Sequence, residues 1–142
     1  MRLIRGASLF VMAWAATAAQ PARAQTPDCL DAALPAAMRV FACTQAITQG
    51  ETDPEKFADL FINRADALID EGFPDKALSD LNSAVRLTPR RKRVHFLRAR
   101  INHAAGRDMV ALADADAGLA LDPRNADALA LRARILIAIG RY

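Results

Sequence analysis

A chain of 142 residues, 53% hydrophobic and 25% charged, is long enough for one modest domain and too apolar to be intrinsically disordered. Only 6% of its residues are aromatic, and its abundance of alanine argues against a β-rich fold, so the expected class is all-α. The formal net charge of +3 invites a nucleic-acid reading, but the whole excess sits in the first 24 residues.

Those residues carry Arg2 and Arg5, then an apolar run from Gly6 to Ala19, then the small-x-small triplet Ala22-Arg23-Ala24. The pattern is that of a secretory signal peptide (1–24) cleaved before Gln25. The run has 14 residues, short of the roughly 20 that cross a bilayer, so no stable membrane insertion is expected after cleavage; the alternative is a retained anchor. Without Arg2, Arg5 and Arg23 the chain has 16 basic and 16 acidic residues, and the charges are striped. Between Asp28 and Asp80 there are 11 acids and 4 bases, and between Arg86 and Arg107 there are 8 bases and no acid.

The next stretch, 25–52, reads as a capping segment and helix. "AAMRVFACTQAITQG" has the apolar spacing of one helix, and it contains Cys43, with Cys29 upstream. An even cysteine count in an exported chain points to a Cys29–Cys43 disulfide, and the alternative is two buried free thiols. The spacing excludes a CxxC redox site.

From residue 53 to 142 the sequence repeats at an offset of 34. Arg64, Arg98 and Arg132 align, as do Ala65, Ala99 and Ala133, and Gly72, Gly106 and Gly140. In the second half of each unit Ala77 meets Ala111, Asp80 meets Asp114 and Pro89 meets Pro123. Because the punctuating glycines and prolines match, the signal is a structural repeat and not shared composition. Each unit shows two helical stripes broken at its glycine. In the first, Ala58, Phe61, Ile62, Ala65, Leu68 and Ile69 form one stripe, and Ala77, Leu78, Leu81, Ala84 and Val85 form the other. Asp53-Pro54-Glu55 supplies an N-cap and a first-turn proline, Pro74 and Asp108 open the second helices, and Pro89 and Pro123 close the units. The units are 58–91, 92–125 and a partial 126–142. A helical hairpin of this size cannot bury its own apolar faces and must stack on neighbours. Ala115 and Gly118 on the second core stripe predict loose packing there.

The stretches "NRADALIDEGFPDKALSDLNSAVRLTP" and "LRARINHAAGRDMVALADADAGLALDP" resemble the tetratricopeptide repeat (TPR) family. The resemblance covers Ala58 to Tyr142 and implies a right-handed solenoid of antiparallel helix hairpins, about two and a half repeats after an N-terminal helix. "ACTQAI" ahead of "NRA" is similar to small exported bacterial proteins of this class, which makes a bacterial periplasm the expected location, with secretion as the alternative. The pattern departs at the early aromatic position, which is Phe61, His95 and Leu129, and at the later tyrosine position, which is Leu68, Asn102 and Leu136.

Reactive constellations are sparse. His95 and His103 are eight apart, too far for an i, i+4 metal pair, and no carboxylate or cysteine clusters with them, so no metal or cofactor is expected. "DADAG" at Asp114–Gly118 lacks the closing glutamate and the turn glycine of a calcium loop and lies in a helical pattern. No nucleophile, P-loop or dinucleotide motif is present, so no enzymatic activity is expected. The basic run Arg90-Arg91-Lys92-Arg93, with Arg98 and Arg100, has three readings: a solvated face complementing acidic neighbours, recognition of an acidic partner, or nucleic-acid binding. The last is disfavoured by the exported location and by the lack of stacking aromatics beyond Phe96.

In the family, ligands lie along the concave surface made by the first helices. The resemblance therefore implies a protein- or peptide-binding groove of Asp59, Ile62, Asp66, Ile69 and Asp70, then Arg93, Phe96, Arg100 and His103, then Asp127, Arg134 and Ile137. That groove would run from acidic through basic to apolar. The terminal-carboxylate grip of some relatives is not reproduced, because Leu97 and Leu131 stand where it needs polar groups. The expected function is a non-enzymatic interaction scaffold with a protein or peptide partner and no nucleic acid. The alternatives are a subunit that self-associates as a homo-oligomer through an unfinished C-terminal repeat, at Leu136 and Ile139, and a fragment of a longer TPR protein or regulatory domain.

Overall fold

The structure, a computed structural model, describes residues 28–140, so the expected leader 1–24 and its cleavage site lie outside the described residues. It contains six α-helices in chain order: α1 Ala36–Gln49, α2 Pro54–Asp70, α3 Pro74–Leu87, α4 Lys92–Ala104, α5 Asp108–Leu121 and α6 Ala126–Ala138. No strand occurs among the described residues, as the all-α reading expects.

Local chemistry sets the boundaries. Asp53 accepts a hydrogen bond from the Glu55 N–H at 2.9 Å and Pro54 fills the first helical position of α2. Each hairpin turns at a glycine: Gly72 at φ +80° and Gly106 at φ +70° occupy the left-handed region that side chains resist. In both turns the next residue's N–H reaches back to the last helical turn, Phe73 to the Leu68 carbonyl and Arg107 to the Asn102 carbonyl, each at 2.8 Å.

Helix α2 packs on α3 and α4 on α5 as two hairpins, and α1 and α6 pack at the two ends. Two cores result. The first is built from Ala58, Ile62, Ala65, Leu68, Leu81, Ala84, Val94, Leu97 and Ile101. The second is smaller, with Ala99, Ala111, Ala115, Leu131 and Ile135. Ala115 stands where the first unit has Leu81, so this core is thinner, but it is not hollow at Gly118. A Cβ at Gly118 would collide with the Phe96 ring, which fills the space the glycine leaves. The expected looseness at this position is therefore corrected. By repeat register the first unit sets Ile62 against Ala84 and the second sets Phe96 against Gly118, so the larger ring meets the smaller residue.

A prediction follows from this size exchange. Gly118→Ala gains about 1 kcal/mol of helix propensity but overpacks Phe96, and is expected to destabilise by about 1–2 kcal/mol net. Adding Phe96→Ile, which copies the first unit, should remove that penalty in urea melts; additivity of the two changes would sink the account.

At the amino end Cys29 and Cys43 form the expected disulfide, across 14 positions. The bond pins residues 28–35 against α1, and Cys29, Ala42, Cys43 and the half-buried Leu60 make a small core of their own. Helix α1, packed on α2 and joined by this tethered segment, covers the first hairpin at that end.

Candidate functional site: a groove along the first helices

One ionic device recurs at the repeat spacing. Arg64 holds Asp80 through two parallel hydrogen bonds, Nε to Oδ2 and Nη2 to Oδ1, both 2.7 Å, and its Nη1 reaches the Thr44 hydroxyl of α1 at 3.2 Å. In the second unit Arg98 reaches Asp114 through Nη2 alone, at 3.2 Å, and its buried Nε has no partner among the described residues. Asp114 also accepts from the Asn102 amide at 3.2 Å. Burial pushes the Asp114 carboxyl above the usual carboxylate range, with Arg98 and Asn102 pulling the other way.

That shift has a sign. A carboxyl whose folded pKa is raised binds its proton more tightly in the folded chain than in the unfolded one. Its contribution is therefore favourable at low pH and is lost as pH rises through the folded value. The stability of Asp114→Asn relative to the parent chain is expected to increase between about pH 4 and pH 7. Urea melts across that range showing a constant difference would contradict it.

The expected groove is mostly closed upon itself. Asp66, on α2, receives Arg93 at 3.0 Å, Arg100 at 3.6 Å and Arg39 at 3.8 Å. Arg91 reaches both Glu55, at 2.8 Å, and Asp59, at 3.1 Å, while Asp70 pairs with Arg39 at 2.6 Å. The basic stripe thus complements the acidic stripe of the preceding unit. Asp59, Asp66 and Arg93 join neighbouring helices, and the acidic-then-basic surface expected from the sequence is corrected to a seam of internal ion pairs. Two further placements need correction. Ile62 is 2% exposed and belongs to the core, not the groove. His103 is tied by Nδ1 to Asp108 at 2.5 Å, strapping its own hairpin across the turn.

Other expected residues come together. Phe96, Arg100, Asp127 and Arg134 line one groove of about 380 Å³ between α4 and α6, floored by Leu97, Ala128 and Leu131. Ile69 and Arg100 meet in a second pocket of about 260 Å³ between the two hairpin turns, with Ile101, Ala104 and Pro74 as its apolar walls and Arg107 and Asp75 among its lining residues. Arg100 belongs to both. Sequence reasoning missed this second pocket, because Pro74 opens α3 and Arg107 immediately precedes α5, and only the stacking of one hairpin on the next brings them together. Ile137 is 64% exposed and outside both cavities, whereas Leu136 and Ile139 are half-buried. Leu97 and Leu131 are buried, so no carboxylate can be gripped there. Among the described residues no cluster of histidine, cysteine and carboxylates could hold a metal, and no helix is long and apolar enough to cross a membrane.

No protein-family model matches the chain, and neither does any curated protein sequence. Solved structures do. The first TPR of Spaghetti (RPAP3), bound to the HSP90 peptide SRMEEVD, superposes with a TM-score of 0.67 at 24% identity, over 74% of this chain and 82% of that one. This is a TPR fold. The OM64 TPR domain of Arabidopsis gives a TM-score of 0.65 at 23% identity, over 70% of this chain and 79% of that one. The first TPR domain of human RPAP3 gives 0.67 at 24%, over 74% and 80%. In TPR terms α2 and α3 are the first hairpin, α4 and α5 the second, α6 the first helix of a third unit, and the two cavities lie between or beside first helices.

Proposed function

We propose that this TPR-fold chain is a non-enzymatic scaffold of the bacterial periplasm that binds an acidic peptide segment of a partner protein in the groove between α4 and α6. The observation that carries the reading is the state of two arginines there. Arg134 has no ion pair among the described residues, and Arg100 touches Asp66 only at 3.6 Å, while both line the groove beside Phe96. Two weakly engaged guanidiniums beside an aromatic ring suit a carboxylate flanked by an apolar side chain, and the 260 Å³ pocket on the far side of Arg100 can take a further apolar group. The structural neighbour bound to SRMEEVD, a peptide with three carboxylate side chains, supports the class of ligand. The leader-like first 24 residues and the paired cysteines support export, since such bonds persist in oxidising compartments.

The test is capture from periplasmic extract by the mature protein and by a variant carrying Phe96→Ala, Arg100→Ala and Arg134→Ala. The variant is expected to lose the captured protein, and binding by the parent should weaken about tenfold or more as salt rises from 50 to 500 mM, as exposed charge recognition does. Arg93→Ala should retain capture, because Arg93 is engaged with Asp66. An unchanged set of captured proteins in the triple variant would discard the groove.

A further inference from the structure

Helix α4 buries a polar side chain where the first unit has a leucine. Asn102 is 5% exposed, and Leu68 at the same register belongs to the first core. Both ends of the Asn102 amide are engaged: its nitrogen donates to Asp114 at 3.2 Å and its oxygen accepts from the Arg107 Nε at 2.9 Å. Arg107 in turn stands at the register of Phe73. The two positions have changed together, from an apolar pair in the first hairpin to a hydrogen-bonded polar pair in the second. A buried amide stabilises a fold less than the leucine it replaces, so the exchange points to a task for Arg107. Its Nε is fixed, while its two Nη groups make no hydrogen bond or ion pair among the described residues.

Arg107 lines the pocket of about 260 Å³ between the two hairpin turns. Stacking alone does not make this pocket apolar. Ile69 and Pro74 form part of its wall, and their equivalents in the second hairpin are His103 and Asp108, tied to each other at 2.5 Å. Its space is left by the exposed Ala104 and Ala105, which stand where the first unit has Asp70 and Glu71. Ile101, 4% exposed, joins the pocket to the first core. Two cations, Arg100 and Arg107, line it against one acid, Asp75.

We infer that this pocket takes one aromatic side chain of the bound segment, next to a carboxylate, with Arg107 as its contact and Asn102 as the positioning residue behind Arg107. The inference rests on the peptide reading above and names what that segment must carry: an aromatic anchor beside its acidic residues. Size selects a side chain, since the pocket falls below the roughly 300–1,000 Å³ that enclose a whole small molecule. A guanidinium oriented through its Nε offers a flat cation to a ring, which an aliphatic anchor would not use. Charge selects the neighbour: two arginines against Asp75 leave a net positive lining, suited to an adjoining carboxylate. Arg100 lines both this pocket and the groove between α4 and α6, so anchor and acidic residues lie on one continuous track.

Amide NMR titration of the mature protein with 4-phenylbutyrate, a ring three carbons from a carboxylate, tests the pocket. The amides of Asp75, Ile101, Ala104 and Arg107 are expected to shift with a dissociation constant on the order of millimolar, as a ligand of about 12 non-hydrogen atoms gives. Neutral 4-phenylbutan-1-ol should bind about threefold to fivefold more weakly. Arg107→Gln and Asn102→Leu are each expected to at least halve that preference for the acid, whereas mere loosening of the hairpin would lower both affinities and leave their ratio. Ala104→Leu fills the pocket from an exposed position; it should weaken both ligands at least about tenfold and abolish capture from periplasmic extract, with the melting temperature unchanged. No shifts at these amides, shifts untouched by Ala104→Leu, or a ratio unmoved by both polar variants would each overturn the proposal. The double variant Phe96→Ala and Arg134→Ala, which spares the pocket lining, separates it from the groove. Loss of capture there with retention in Ala104→Leu overturns the pocket alone; the reverse discards the groove and upholds the pocket.

Discussion

Replacing Cys29 and Cys43 together by alanine is expected to lower folding stability by about 3 kcal/mol, the chain-entropy value for closing a loop of about 15 residues. The pair spans 14 positions, and both cysteines are buried, at 5% and 0% exposure, in a core shared, among the described residues, with Ala42 and Leu60. Among the described residues nothing else of comparable strength holds residues 28–35. The other bonds within that segment are local: Asp28 accepting from the Leu30 N–H and Asp31 from the Ala33 N–H, both at 2.9 Å. Loss of the bond therefore frees the segment and opens the small core it shares with α1 and Leu60 of α2. The melting temperature should fall by roughly 10 °C or more for a domain of this size. The parent protein melted in reductant should match the double variant, and equal stability of the oxidised parent and the variant would show that the bond merely decorates the fold.

The second large effect lies at Arg64. Arg64→Ala strands both oxygens of Asp80, a carboxylate with a side chain only 8% exposed and no other donor among the described residues. Removing one partner of a mostly buried pair costs about 3 kcal/mol. The Thr44 contact is lost at the same time, so α1 loosens with the hairpin. Arg98→Ala should cost less, by about 1–2 kcal/mol, for two reasons: Arg98 makes one 3.2 Å ion-pair contact where Arg64 makes two hydrogen bonds, and Asp114 keeps the Asn102 amide. The order of the two variants in denaturant melts checks the assignment; equal effects would mean that the Nε–Oδ2 bond adds nothing. Arg64→Lys should recover little, because a lysine cannot supply the two parallel donors.

These contrasts show where sequence reasoning was sufficient. The 34-residue spacing, the glycines at 72 and 106 and the capping Asp53 were legible because each acts locally. A left-handed backbone or an orphan N–H imposes its own residue type whatever the rest of the chain does. The hairpins and the all-α class follow from that punctuation together with the helical stripes. The disulfide was legible as a pairing because only two cysteines are present.

What the charges do was not legible. The acidic and basic stripes are plain in the sequence, yet whether Arg93 and Arg100 face a ligand or Asp66 depends on how far apart α2 and α4 lie and on the angle between them. Stacking sets that distance, and it turned much of the expected groove into ion pairs within the chain, Arg93 with Asp66 among them, while leaving Arg100 weakly engaged and Arg134 without an ion pair among the described residues. The same holds for Ile62 and Phe96, which share a register position. One is core and the other both packs on Gly118 and reaches the groove, because the Phe96 ring is larger than the space the glycine leaves. The sequence by itself determined the helices, their order and their turns, since these are local free-energy minima written residue by residue. Only the tertiary structure decided which polar groups satisfy one another and which are left for a partner, because that balance depends on ångström-scale distances between elements that no local pattern encodes.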